Sequence, residues 1–492
     1  MSPAPATPMH HTACWALFCQ LLLVAHAADD FFQDKLRVRY AVHFNVTYHN
    51  TFKIVTNDYA DETIVLYARG TQPPSNLSGV DMFVEVPVTR VAVTSTTFIP
   101  WIEMLGKRTT IKAYTSSFTY VSSPCLNELY AQGKVVEAAS GWSIDNAALA
   151  AQNVSVTFAD AWSRHALSSA IVTSPNEDSV LKTAEYVGYF SLFYNAEADA
   201  ERILDGIEER YECTAANVAQ AVTGGARTQV LWAYLSFDGT TYGWSIGTCP
   251  NYYCETVWDA GGKVLETNTT GSSSVWGYPA LNDTEFLAVA TAADVFVYSA
   301  GNFSWAYSAK QEVLDQVPAV AARRVVDTLG RGENDWFESR EAEPDVLLED
   351  LTAVITPAAI DDHTRVWLRD PFSEASGAVN QNQTCQNASY AKEPLADTCT
   401  RMSVKSSSTG GVNREAILAG VLVPVAVVLL ATIALVLALR GRLAPVCRDR
   451  GPDCVRAVPS SLTANSRENK LAEYAEVELS SPTKSPAPGP WE

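Results

Sequence analysis

Residues 186–211 read YVGYFSLFYNAEADAERILDGIEERY. Tyr186, Tyr189, Phe190, Phe193 and Tyr194 recur at steps of three and four, and Ile203 and Ile207 keep the same spacing. That pattern sets a wide apolar stripe on one helical face. Glu197, Asp199, Glu201, Arg202, Asp205, Glu208 and Arg210 fall elsewhere on the helix, and no proline interrupts the run. At about 1.5 Å of rise per residue such a helix spans ~40 Å, the width of a domain. The plain reading is one core helix among several. The sharper reading is a rigid strut between two lobes, because strand and helix patterns alternate on both sides of it.

Upstream, residues 52–55 and 63–67 read as short strands, with Asn57-Asp58 and the run Gly70-Thr71-Gln72-Pro73-Pro74 as breaks. A buried strand over 90–98, a helix over 100–105, a strand over 111–114, a helix over 125–132 and further alternation to Phe158 follow. Downstream the pattern restarts with strands near 229–234, 295–298 and 324–326 and helices near 255–260, 281–292, 311–316 and 344–355. Strand–helix alternation implies a parallel sheet flanked by helices. The expected fold is therefore α/β and two-lobed: lobe one over about 52–180, one long linking helix over 181–211, and lobe two over about 225–368.

The two ends read differently. Residues 13–25 are apolar and Ala25-His26-Ala27 fits a small-x-small cleavage site, so 1–27 reads as a secretory signal, although its charged region has only His10 and His11. Residues 416–439 carry no charge and span roughly 36 Å as a helix, enough to cross a hydrocarbon core of about 30 Å. Arg440, Arg442, Arg448 and Arg450 follow closely, which places the C-terminus in the cytoplasm. Eight Asn-x-Ser/Thr sequons, at Asn45, Asn76, Asn153, Asn268, Asn282, Asn302, Asn382 and Asn387, all lie between the two apolar runs. That segregation points to a glycosylated ectodomain over 28–372 on a glycosylated stalk over 373–415. The tail, 440–492, has the composition of a disordered segment. The expected location is the plasma or an endosomal membrane, single-pass, with the ectodomain outside.

The net charge of −20 argues against nucleic acid, whose phosphates need clustered Lys and Arg. Six cysteines fall in the ectodomain, an even count that in an oxidising compartment suggests disulfides. Local pairing favours Cys249–Cys254 and Cys385–Cys399, which leaves Cys125 with Cys213. Cys447 and Cys454 lie in the juxtamembrane stretch, where palmitoylation and a free thiol are both open.

The pieces, in order, resemble bacterial periplasmic binding proteins for iron–siderophore complexes, haem and cobalamin. VPVTRVAVTSTTFIPWIEMLG (from Val86) is similar to the opening of that family's first lobe, and GKVVEAASGWSIDNAALAAQNVSVTF (from Gly133) to its next strand–loop–helix–strand. The stretch from Glu185 to Tyr211 resembles the linking helix. VLWAYLSFDGTTYGW (from Val230) and ETVWDAGG (from Glu255) resemble the start of the second lobe. GENDWFESREAEPDVLLEDLTAVITP (from Gly332) resembles the closing segment. The match covers about 52–368. The membrane span, sequons and tail depart from the bacterial pattern and are similar to algal proteins of siderophore uptake. Cys249-PNYY-Cys254 stands where the bacterial proteins have a glycine-rich loop. The resemblance implies a receptor that binds a ferric siderophore, or a haem- or corrin-like chelate, between the lobes, and not an enzyme. It implies no resident cofactor.

Polar residues at strand C-termini and helix N-termini face such a crevice. In lobe one that selects Ser95, Thr96, Thr97, Tyr114, Ser116, Phe118, Tyr120, Trp142 and Ser143. In lobe two it selects Phe237, Tyr242, Trp244, Trp276, Tyr278, Trp305, Asn334 and Trp336, with Asp335 in the same loop. Trp and Tyr supply broad apolar area with a polar tip, which suits a large, partly apolar ligand. An anionic chelate would also need a cation, for which Lys107, Arg108 and Arg324 are candidates. His43, His49, His165 and His363 include no close pair at ligand spacing, so a bare-metal cage is not expected. Gly243-Trp244-Ser245-Ile246-Gly247 matches the nucleophile-elbow pattern with His363 downstream, but Cys249-Pro250 follows at once and opposes the helix that an elbow needs. In the tail, Tyr474-Ala475-Glu476-Val477 fits Y-x-x-Φ, the pattern clathrin adaptors read, with Tyr474 and Val477 as the anchors.

Overall fold

The computed structural model describes residues 30–402, apart from 142, 362, 381–383 and 397. The signal segment, the membrane span, Cys447, Cys454 and the Tyr474 pattern lie outside the described residues. So do Trp142 and Asn382. Among the described residues no helix is long and apolar enough to cross a membrane.

The chain begins with a four-stranded sheet of β1 (Phe44–Tyr48), β2 (Phe52–Asn57), β3 (Glu62–Ala68) and β4 (Met82–Val86). The first two pairings are antiparallel and β3 runs parallel to β4. Sequence reading found β2 and β3 but not β1. Ahead of β1 an extended segment is fixed by two carboxylates. Glu185 accepts from the backbone N–H groups of Arg39, Tyr40 and Ala41 at 2.6–2.7 Å, and Glu177 from those of Val42 and His43. Such charge-assisted bonds hold a coil that has no ladder of its own.

Lobe one follows: β5 (Val91–Val93), α1 (Ile99–Met104), β6 (Ile111–Tyr114), α2 (Pro124–Ala131), β7 (Val136–Glu137), a small hairpin of β8 (Ala139–Ser140) and β9 (Ser143–Ile144), α3 (Asn146–Ala151), β10 (Val156–Ala159) and β11 (Ser169–Ile171). The sheet order is β11-β10-β5-β6-β7 and every pairing is parallel. A parallel sheet is buried on both faces, so its strands read as short apolar runs such as Val91-Ala92-Val93.

The linking stretch is not one helix. α4 (Val180–Ala184) leads into α5 (Tyr186–Tyr194), and Asn195 then adopts a left-handed conformation, φ 52° and ψ 50°. A new helix, α6 (Glu197–Ala221), starts two residues later and runs ten residues beyond the expected end. Asn is among the few side-chain-bearing residues that visit the left-handed region routinely, which makes it a natural helix terminator. All of α5 is buried, with Phe190 against Phe158 and Trp101 at ring distances of 4.7 and 5.5 Å. α6 is the actual strut. Ala200, Leu204 and Ile207 pack into lobe one's core, while Tyr211 packs into lobe two's.

The break is pinned from β2. Lys53 is fully buried, and its Nζ donates to the Leu192 carbonyl (2.6 Å), Asn195 Oδ1 (2.9 Å) and Glu197 Oε1 (2.7 Å). The Leu192 carbonyl is one that the end of α5 leaves without an intrahelical partner, and a cation satisfies it.

Lobe two contains β12 (Thr228–Phe237), β13 (Tyr242–Ile246), α7 (Tyr252–Asp259), β14 (Gly262–Val264), a hairpin of β15 (Ser273–Val275) and β16 (Tyr278–Ala280), α8 (Asp283–Ala290), β17 (Val295–Tyr298), α9 (Phe303–Leu314), α10 (Pro318–Ala321), β18 (Val325–Asp327), α11 (Asp335–Ser339) and α12 (Pro344–Ile355). β12, β17 and β18 are parallel neighbours, and the far edge of β12 is shared by parallel β14 and antiparallel β13. Ser245 pairs with Tyr234 inside this antiparallel ladder, so the G-x-S-x-G pattern is a strand and no elbow. Asp350 closes the lobe by accepting from the backbone of Val366, Trp367 and Leu368 and from His363 Nε2.

Two disulfides correct the sequence reading. Cys125 bonds Cys385 and Cys213 bonds Cys399, in place of Cys125–Cys213 and Cys385–Cys399; only Cys249–Cys254 forms as expected. The local pairing rule fails because the segment expected to be a free stalk is, up to Met402, a strap laid over the body. Arg108 donates to the carbonyls of Ala388 and Tyr390, Lys392 pairs with Glu343, and Asn217 bonds both Thr400 and Met402.

Candidate functional site

The loops that leave the C-terminal ends of the two sheets meet at one place. Ser95 caps the 3-10 turn Thr96–Phe98 after β5, and Thr97 Oγ1 donates to the carbonyl of Phe337 on α11 (3.0 Å). Asn334 Nδ2 donates to the carbonyl of Thr119 in the turn after β6 (3.0 Å). Glu338 reaches furthest into lobe one. Its carboxylate accepts from the N–H groups of Ser122 (2.6 Å) and Ser123 (2.9 Å), at the N-terminus of α2. Ser123 Oγ in turn donates to Glu103, which also accepts from Arg108. A carboxylate at a helix N-terminus is favoured by the exposed N–H groups there.

Glu338 is buried, and its carboxyl is pushed well above the usual range, first by burial and then by the charges of Asp335 and Glu103, against the pull of the Ser122 N–H. A carboxyl whose folded-state pKa is raised contributes stability that is present below its unfolded value of about 4.3 and is lost as pH rises through the folded value. Wild type should therefore gain stability over Glu338→Gln as pH falls from 8 toward 5. Thermal melts of both across that range test this; a melting temperature of wild type minus that of the variant that stays flat or falls as pH is lowered would contradict it.

The strands adjoining β18 run parallel to it, so the C-terminal ends of β12 and β17 face the same way as the α11 loop. There half-buried and exposed aromatics come together. Phe237 and Tyr242 stack across the β12–β13 turn at 4.3 Å, and Tyr242 lies 6.3 Å from Trp305 in the first turn of α9. Trp276 and Tyr278 are each 56% exposed and Trp305 43%. Trp276 heads the β15–β16 hairpin, which docks on β13 through paired bonds between Trp244 and Leu281. Gly243 permits that docking, since a Cβ there would stand 2.5 Å from Ala280 Cβ and 2.7 Å from Val275 Cγ2. Lys310 lies 5.2 Å from the Tyr242 ring centroid and pairs with Asp283 at 2.8 Å.

The other expected contacts divide by burial. Trp244 stacks on Phe286 at 4.0 Å and Trp336 packs near Trp232 and Trp367; both are 1% exposed and belong to the core. Thr97 and Tyr114 are also buried. Ser95, Thr96, Ser116, Tyr120 and Asn334 are half-buried and Ser143 is exposed. The expected cations stand elsewhere. Lys107, Arg108 and Arg324 precede β6 or β18 at the opposite ends of the sheets, and Arg108 is taken up by Glu103 and the strap. Lys310 was missed because it sits at a kink, φ −137° and ψ 36°, between the turns that start at Phe303 and the expected helix from Gln311. All seven described sequon asparagines, Asn45, Asn76, Asn153, Asn268, Asn282, Asn302 and Asn387, are exposed.

No family model matches the chain, and no curated protein sequence matches it. Solved structures that resemble it at low identity are bacterial solute-binding proteins. A periplasmic heme-binding protein from Pseudomonas aeruginosa aligns at 13% identity and TM-score 0.42 over 57% of this chain and 97% of that one. A periplasmic binding protein from Veillonella parvula aligns at 14% identity and TM-score 0.40, over 56% and 88%. Helicobacter pylori Ceue with Ni(II) bound aligns at 11% identity and TM-score 0.41, over 56% and 88%.

Proposed function

We propose that this chain is a binding receptor that captures a metal chelate, a ferric siderophore or a haem- or corrin-like complex, against the aromatic face of lobe two. The observation that carries the reading is half-buried Tyr242 beside exposed Trp305 at the C-terminal end of the lobe-two sheet, with exposed Trp276 and Tyr278 on the hairpin docked against the same strand, β13. Exposed aromatics gathered in one patch mark a binding surface. Flat rings offer wide apolar contact, and Lys310 supplies a cation beside them for an anionic chelate. Half-buried Ser95, Thr96, Ser116 and Tyr120 would complete the pocket from lobe one.

The test is titration of the protein with ferric hydroxamates, haem and cobalamin, read by intrinsic tryptophan fluorescence. Saturable quenching by one of them at submicromolar concentration is expected. A second reading, an interaction glycoprotein that keeps the fold without a small ligand, is favoured by the seam of Thr97, Asn334 and Glu338, which closes part of the space between the lobes. No response to any chelate would select it.

The receptor reading extends to uptake. Residues 416–439 would anchor the chain, and Tyr474 with Val477 would bind a clathrin adaptor as an extended strand. Tyr474→Ala should then leave surface binding of labelled chelate unchanged while slowing its entry and raising receptor level at the surface. Entry at the wild-type rate would remove the tyrosine from the account.

A further inference from the structure

A cavity of about 600 Å³ lies at the other end of lobe one, where β5, β6 and β7 begin. Three cations line it: Arg90 just before β5, Lys112 at the start of β6 and Lys134 just before β7. The facing carboxylate is Glu128 on α2, whose Oε1 accepts from Gln132. Ile111, Leu129 and Val135 are buried and give the cavity an apolar floor. The outer wall is the strap segment Cys385–Ser389, fixed there by Cys125–Cys385.

The cations are gathered without an ion pair among the described residues. Arg90 donates only to the carbonyl and side chain of Gln152, and Lys112 only to the carbonyl of Thr109. Lys112 is held below its ordinary value by burial and then by the charges of Arg90 and Lys134, so the three act on one another. In a chain of net charge −20, three mutually repelling cations around one cavity are not a chance excess of base.

We propose that this cavity is a second ligand site, taking a small organic oxyanion, a phosphate monoester or a carboxylate, with its apolar body on the floor and its head among Arg90, Lys112 and Lys134. An oxyanion offers each cation a charge-assisted acceptor and relieves their repulsion. The volume is that of an ordinary small-molecule pocket. Because the strap is one wall, the ligand would also hold the strap down. The site shares no residue with the aromatic face of lobe two, so it stands or falls independently of the chelate reading.

The experiment is calorimetric titration of the full chain in detergent with phenyl phosphate, benzoate and inorganic phosphate. Phenyl phosphate or benzoate should bind saturably and more tightly than inorganic phosphate, and more weakly as salt is raised. Relative preference between the first two identifies the head group. Lys112→Gln with Lys134→Gln should weaken binding at least ten-fold. The Lys134 side chain is exposed and makes no hydrogen bond or ion pair among the described residues, so a several-fold loss in Lys134→Gln alone reports on the ligand and not on folding. Lys263→Gln, at an exposed cation on β14 outside the cavity, should leave phenyl phosphate and benzoate binding unchanged. No binding of any probe up to millimolar concentration, or equal affinity in wild type and the double variant, overturns the proposal. Asn387 lies on the wall with Ser389 completing its sequon. If binding appears only in Ser389→Ala, the cavity is filled by the protein's own glycan and the proposal fails.

Discussion

Lys53→Met should cost about 3–5 kcal/mol of stability, the range for removing one partner of a buried ion pair. The substitution keeps an unbranched apolar stem but ends one atom short of Nζ, and so also removes the cation that lies 4.6 Å from the Phe32 ring centroid. It removes the cation paired with buried Glu197, and it leaves the Leu192 carbonyl and Asn195 Oδ1 without their Lys53 donor. Burial pulls the Lys53 ammonium below its ordinary value and the Glu197 carboxylate pulls it back, so the pair is held together against desolvation. Lys53→Met with Glu197→Leu should recover much of the loss, since an apolar pair of similar volume often equals a buried ion pair. Denaturant unfolding of wild type, single and double variants measures both. A single variant as stable as wild type would mean that the break between α5 and α6 is fixed by other contacts.

The second large effect is expected at the strap. Cys213–Cys399 closes a sequence separation of 186 residues and Cys125–Cys385 one of 260. Long loops carry large closure entropies in the unfolded chain, and removing such a link costs roughly 2–5 kcal/mol. Cys213→Ser with Cys399→Ser should destabilise by that amount and also free the end of the strap. Arg401 is exposed and Lys392 is held to Glu343, so limited trypsin digestion should cut at both within minutes in the variant and at Arg401 alone in wild type. Cleavage at Lys392 at the wild-type rate would show that the ion pairs hold the strap without the disulfide.

What was legible in the sequence follows from periodicity. β5, β6, β10, β12 and β17 are short apolar runs buried on both faces, and α12 carries an apolar stripe between two prolines, so each could be located. The helix break at Asn195 left one trace, an asparagine between two helical patterns of different character: aromatic before it, charged after it. Periodicity alone runs through such a residue, and only the buried cation of Lys53 shows why the chain stops there. The strap was missed for another reason. Its order comes from disulfides and side-chain clamps on distant elements, and those leave no local pattern. Trp244 and Trp336 could not be told from Trp276 and Trp305 by sequence, since periodicity assigned none of the four to a strand or helix; the difference is made by Phe286, Trp232 and Trp367, which cover the first two.

A ligand held on the aromatic face of lobe two must depend on the exposed rings there. The most direct measurement is equilibrium binding, by dialysis, of whichever chelate quenches wild type, to wild type and to Trp276→Ala with Trp305→Ala. Each exposed aromatic anchor is expected to contribute about 2 kcal/mol, roughly thirty-fold in affinity, when it sits at the centre of an interface. Both residues project from the folded body, so their loss should leave the melting temperature in place. Affinity reduced by more than a hundred-fold at unchanged stability is the predicted result. Undiminished affinity in the double variant would place the ligand elsewhere and contradict the account.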